Sequence, residues 1–237
     1  MPDIAHRVEK TDWRTVSDEM HDKGYAVLPG FLSPDQCRSM IGVFDSPEGY
    51  RKTVVMERYR FGLGSYKYWN YPLPDLVQSL RENLYPKLMP IANAWMAQLN
   101  IDRRFPETFE DFQATCHKNG QLKPTPLILQ YGEGGYNTLH QDLYGEVYFP
   151  IQAACFLSEP DEDYKGGEFV FTQQVPRAQS RAIVLKPKRG DMILFATQFR
   201  PVKGARGYYR ATMKHGVSSV LSGNRYALGI IFHDAVA

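Results

Sequence analysis

Cysteine is scarce in this chain, and long apolar runs are missing. Cys37, Cys116 and Cys155 are the three cysteines among 237 residues. Their number is odd and no CxxC occurs, which argues against a disulfide framework or a thiolate zinc site. No stretch approaches the ~18 consecutive apolar residues that a membrane-spanning helix needs. The start Met1-Pro2-Asp3-Ile4-Ala5-His6-Arg7 lacks the apolar core of a signal peptide. The expected location is therefore the cytoplasm, with no membrane partner. Internal repeats and low-complexity tracts are also lacking. So is a strong charge bias: 28 basic against 26 acidic side chains leave a net charge of +2. That balance does not mark a dedicated nucleic-acid binder.

The hydrophobic fraction of 43% and aromatic fraction of 13% are those of a folded globular chain, which excludes disorder. Pro and Gly are spread evenly, so one domain is expected over residues 1–237. Within it, 1–124 would be helical support and lid, and 125–237 the core. Trp13, Val16 and Met20 have helical spacing before Gly24, and Ser33-Pro34 is a cap ahead of Cys37, Met40, Ile41 and Phe44. A longer helical stripe runs from Leu76 to Leu99, and Pro86 and Pro90 are expected to kink or split it. After Pro126 the texture changes to short β-type runs at 127–131, 147–157, 168–172, 182–185, 192–196, 216–221 and 226–232. About seven such strands predict a sandwich or barrel.

His140-Gln141-Asp142 is an HxD pair, and residues two apart on an extended segment point to one face. His215 lies 73 residues beyond Asp142, at the start of a β-type run. Two His and one carboxylate with open positions suit non-haem Fe(II). The same set also describes catalytic zinc. Arg225 follows His215 by ten residues, and a guanidinium there could pair with a carboxylate in a bidentate way.

In this context the chain resembles the Fe(II)/2-oxoglutarate-dependent dioxygenases, nearest in texture to those with a prolyl-4-hydroxylase-like core. Five segments carry the likeness in order: Tyr131-Gly132-Glu133-Gly134-Gly135, His140-Gln141-Asp142, Gly166-Gly167-Glu168-Phe169, the run from Lys186 to Phe195, and His215 with Ser222-Gly223-Asn224-Arg225-Tyr226. Gly24 to Leu32 resembles the family's first strand. The resemblance implies a mainly β fold, a double-stranded β-helix (jelly roll) with an N-terminal helical buttress. It implies Fe(II) held by His140, Asp142 and His215. It implies 2-oxoglutarate and O2 as cosubstrates, with Arg225 on the distal carboxylate and Tyr131 hydrogen-bonded to the cosubstrate. The reaction would hydroxylate an unactivated C–H bond and release succinate and CO2. Asp142 argues against a halogenase, in which a small residue replaces that carboxylate.

The whole chain also resembles a bacterial group of 2-oxoglutarate oxygenases proposed to act on damaged nucleic acid. Two segments interleave cations with aromatics. One is Arg206-Gly207-Tyr208-Tyr209-Arg210. The other is Arg58-Tyr59-Arg60-Phe61, followed by Tyr66-Lys67-Tyr68-Trp69. Cations can follow phosphates while rings stack on bases. Arg206, Tyr208, Tyr209, Arg210, Tyr68 and Trp69 are therefore candidate substrate residues, and oxidative demethylation of an alkylated base is the corresponding reaction. Alkylated-base demethylases carry a second arginine soon after the cosubstrate arginine. Here Ile231 stands six residues after Arg225, and no Arg follows. A protein or peptide side chain and a small metabolite stay open as substrates. A zinc-type or non-catalytic jelly roll is the reading outside the oxygenases.

Overall fold

The computed structural model describes residues 3–236. Helices α1 (Ile4–Lys10) and α2 (Trp13–Lys23) come first. Asp12 caps α2 by accepting from the Arg14 and Thr15 N–H groups. Gly24 ends it at φ 80°, and a Cβ there would lie 2.3 Å from Arg200 Cδ, so only glycine fits. Strand β1 (Tyr25–Leu28) follows, then α3 (Pro34–Gly42), opened by a Ser33/Gln36 capping box.

Next come β2 (Tyr50–Val55), β3 (Gly62–Leu63) and β4 (Ser65–Trp69), all inside the half read as helical. Helices α4 (Asp75–Gln98) and α5 (Phe109–Lys118) complete the buttress. The prolines do not split α4, which runs on as one helix with both inside it. Pro86 and Pro90 are exposed, as is Glu82. The carbonyls they free (those of Glu82 and Pro86) therefore face water, while Leu80, Leu84, Leu88, Ile91 and Trp95 bury the opposite side. Arg81 and Asp234, both fully buried, form an ion pair at 2.8 Å that ties α4 to the C-terminal segment.

The remaining strands are β5 (Leu127–Tyr131), β6 (Tyr136–His140), β7 (Ile151–Phe156), β8 (Tyr164–Gly166), β9 (Phe169–Gln174), β10 (Arg181–Leu185), β11 (Met192–Ala196), β12 (Phe199–Gly204), β13 (Gly207–Val217), β14 (Val220–Gly223) and β15 (Arg225–Ile230). The larger sheet runs β1-β11-β7-β15-β5-β4-β2, and the smaller β10-β9-β13-β6-β3 with β12 on β13. Two antiparallel sheets around a shared apolar interior make the jelly roll, with the helices as its N-terminal buttress. All three cysteines are free and buried. Among the described residues no helix is long and apolar enough to cross a membrane.

Candidate active site

Strand pairing builds the centre. Antiparallel β6 and β13 place His140 directly opposite His215. Their rings lie 4.2 Å apart. Asp142, two residues past His140 and just beyond the end of β6, turns its carboxylate between them. Asp142 Oδ2 is 3.2 Å from His215 Nε2, and Oδ1 is 3.6 Å from His140 Nε2. Ligating atoms of all three residues lie within 4.8 Å of one another. Donors bonded at about 2.1 Å and set at right angles lie about 3 Å apart, so the set suits one ion.

The surrounding hydrogen bonds fix these side chains. His140 Nδ1 faces the Thr138 carbonyl at 2.7 Å. That partner places the proton on Nδ1 and leaves Nε2 bare for a metal. Tyr144 donates to Asp142 Oδ1 at 2.9 Å, and Gln152 Nε2 donates to Oδ2 at 2.8 Å. Burial opposes the Asp142 charge, but the two imidazoles and the Gln152 amide outweigh it and hold the carboxyl well below its usual range. Burial and the neighbouring His140 lower the His215 pKa, which favours the neutral, ligating ring. Burial and the Asp142 charge keep the Tyr144 phenol protonated, as a donor.

A cavity of about 230 Å³ opens over the triad. Arg225 and Tyr131 line it, directly opposite each other in the β15–β5 register. Tyr131 is fully buried, and its hydroxyl accepts from Asn137 at 3.1 Å. The Arg225 guanidinium is 2% exposed and lies 5.5 Å from the ring centroids of both Tyr131 and Phe156. Its Nε has no hydrogen-bond partner. Among the described residues it joins no ion pair, whereas the equally buried Arg81 has Asp234.

The substrate candidates divide. Tyr68 lines the cavity and donates to Tyr144 at 2.9 Å. Trp69 does not reach it: the ring is 2% exposed and packs against Tyr50 in the core. Arg206 lies in the turn of the β12–β13 hairpin, Tyr208, Tyr209 and Arg210 lie in β13, and none lines the cavity. Arg210 sits over the Phe199 ring at 4.9 Å. The period of two was the missed signal, because Tyr208 and Arg210 lie an odd number of positions from His215 and project from the other face of β13.

Sequence reasoning also missed Tyr144 and Gln152. Gln152 had a legible signal, as the lone polar side chain in the otherwise apolar, fully buried strand β7. His233 is fully buried, with Nδ1 accepting from Phe149 N–H at 3.3 Å. Ile231, standing where a second arginine was sought, is part of the cavity wall.

A jelly roll with two histidines and a carboxylate at its open end is the architecture of the 2-oxoglutarate- and Fe(II)-dependent oxygenases. A prolyl-4-hydroxylase from Pseudomonas putida superposes over 94% of this chain and 98% of its own, with a TM-score of 0.57 at 12% identity. A 2OG-Fe(II) oxygenase family oxidoreductase from Burkholderia pseudomallei covers 95% and 94%, with a TM-score of 0.52 at 14% identity. More narrowly, residues 64–235 match the model of the family Oxygenase-NA, described as an oxygenase catalysing oxidative methylation of damaged DNA. Two Mycobacterium tuberculosis proteins, each described as uncharacterized, are 46% identical over 164 residues, 69% of this chain and 70% of theirs. The chain belongs to the Oxygenase-NA family, and its fold is that of the 2-oxoglutarate/Fe(II) oxygenases. Fe(II), 2-oxoglutarate and O2 are the cofactor and cosubstrates of that class.

Proposed function

We propose that this protein removes methyl groups oxidatively from damaged bases in nucleic acid, with His140, Asp142 and His215 holding Fe(II) and Arg225 holding 2-oxoglutarate. The observation that carries the cosubstrate assignment is the Arg225 cation. A buried guanidinium is costly without an anionic partner, and among the described residues no carboxylate pairs with it. A dicarboxylate entering the cavity brings that partner. Tyr131, fixed by Asn137, is beside it to donate its phenol proton, since burial against the pull of Arg225 pushes that group up to about 12.

The iron–cosubstrate pair, when bound, supplies the oxidation: one oxygen atom of O2 goes into succinate as CO2 leaves, and the other enters a C–H bond. The protein's part is positioning. Tyr144 and Gln152 hold the Asp142 carboxylate in one orientation, and Thr138 fixes the His140 tautomer. Ala153, Phe156 and Phe195 keep the interior apolar and exclude water from it. Hydroxylation of an N-methyl group gives N–CH2OH, which collapses to N–H and formaldehyde. Insertion of one oxygen atom removes a methyl group and cannot add one, so the reaction implied by the family's description runs in the demethylating direction. A base in a duplex would have to be flipped out to reach the cavity. The structural likeness to a prolyl hydroxylase, at 12% identity, extends to the fold alone and does not bring a protein substrate with it.

Anaerobic titration with Fe(II) and 2-oxoglutarate tests the cofactor half. A weak visible charge-transfer band is expected, and it should vanish in Asp142→Ala. Wild-type protein that binds Fe(II) without such a band would sink the 2-oxoglutarate assignment. The substrate half rests on formaldehyde release from N-methylated oligonucleotides, coupled one-to-one to succinate.

A further inference from the structure

The turn Arg58-Tyr59-Arg60-Phe61 sits at the mouth of the cavity. It is firmly built. Met56 is fully buried beneath it, its N–H bonds the Gly64 carbonyl at 3.0 Å, and Phe61 N–H closes back on the Met56 carbonyl at 3.1 Å. Arg60 takes a left-handed φ of 59°, which reverses the chain so that Phe61 leads into β3. Phe61 is joined to the metal-site strand, because its carbonyl accepts from both the N–H and the hydroxyl of Thr138 at 2.9 Å. Thr138 is two residues from His140, about 7 Å along the strand.

On this fixed turn two rings face solvent. Tyr59 is 52% exposed and Phe61 44%, and they stack with centroids 5.5 Å apart at 17°. Phe61 also forms part of the cavity wall. Arg58 and Arg60, flanking Tyr59, are exposed, and among the described residues neither joins an ion pair or a side-chain hydrogen bond. A rigid aromatic pair beside two unpaired cations matches the chemistry of a nucleotide strand, with planar bases for the rings and phosphates for the guanidinium groups.

We propose that the Arg58–Phe61 turn is the platform for single-stranded nucleic acid: Tyr59 and Phe61 stack on the nucleotide beside the one whose base enters the cavity, and Arg58 and Arg60 contact its phosphates. The proposal rests on the nucleic-acid reading of the site. A peptide partner would have no need of stacked rings and would not show a phosphate-type salt dependence.

The test is anaerobic fluorescence anisotropy of the Fe(II)- and 2-oxoglutarate-loaded protein with a labelled oligothymidine of about 12 nucleotides. Tyr59→Ala should weaken binding by roughly 5- to 150-fold, the span of base–aromatic stacking. Arg58→Gln combined with Arg60→Gln should weaken binding and lower the slope of log affinity against log salt by about 1.4, or about 0.7 per phosphate contact on a single strand. All these side chains are exposed, so melting temperatures should match wild type. Should Phe61→Ala melt early because Phe61 also walls the cavity, Tyr59→Ala and the double arginine variant carry the test. Wild-type affinity and slope in those variants would overturn the platform and leave the nucleic-acid reading standing. No oligothymidine binding by the wild type would overturn both.

Discussion

Two segments of this molecule have nearly the same texture in sequence and opposite positions in space. Arg58-Tyr59-Arg60-Phe61 and Arg206-Gly207-Tyr208-Tyr209-Arg210 both alternate guanidinium groups with rings. The first is tied through β3 to β6, where Phe61 stands opposite Thr138 and close to His140. The second forms the far end of β13. At about 3.3 Å per residue, Arg206 is about 30 Å along the strand from His215, and Arg210 about 17 Å. A cation–aromatic pattern is thus not a site in itself. What matters is the strand it is hydrogen-bonded to and the distance along that strand to the reacting centre.

The strongest way to sharpen this contrast separates chemistry from grip. Asp142→Ala and His215→Ala should each abolish succinate formation, a loss of at least about 100-fold, while keeping oligonucleotide affinity, since neither residue lies in the platform. Retained turnover in either variant would remove that residue from the metal site. A second arm separates folding from grip. Burial lowers the His233 pKa from 6.5 to about 4, and Nδ1 already accepts a hydrogen bond from Phe149 N–H. The folded state therefore binds fewer protons than the unfolded one. The corresponding stability is complete above about pH 6.5 and is lost as pH falls towards 4, about 3 kcal/mol in all. Burial of His215 acts in the same direction. Urea denaturation of wild type, Tyr59→Ala and Arg206→Gln with Arg210→Gln should trace one pH curve, with His233→Gln flatter. A variant that departs from that curve has lost folding rather than binding.

Arg225→Gln should raise the 2-oxoglutarate requirement by about 10- to 100-fold, the worth of a charge-assisted pair, with a smaller change in turnover at saturation. An unchanged KM for 2-oxoglutarate would end its assignment. The smallest expected effect breaks the contrast if it is not small: Arg206→Gln with Arg210→Gln should leave the salt slope of oligonucleotide binding at the wild-type value. A slope lowered as far as in the platform variant would make the hairpin an equal partner in the grip.

Much of the centre was legible before any coordinates. The HxD spacing puts two donors on one face, the apolar runs give strands, and the order of five segments indicates the oxygenase class. Boundaries inside apolar runs were close: Met192–Ala196 and Leu127–Tyr131 match the strands. The misses share a cause. β2 is an edge strand with one buried residue, Val54, so it shows little alternation. β6 is mostly exposed, and β12 carries Pro201, which reads against a strand and is tolerated because β12 pairs on one side only. In α4 the prolines read as breakers, but their exposed side leaves the freed carbonyls to water.

Sequence by itself determined the His140/Asp142/His215 donor set, the cation proposed for 2-oxoglutarate and the class of fold, because these rest on residue chemistry and on short periodicities that a chain carries locally. Tertiary structure alone decided that His215 faces His140, that Gln152 and Tyr144 lock Asp142, that Trp69 is core, and which of two similar segments overhangs the cavity. Those outcomes depend on pairing between residues tens of positions apart. Strand register is set by the summed burial of both sheets, and no local pattern contains that sum.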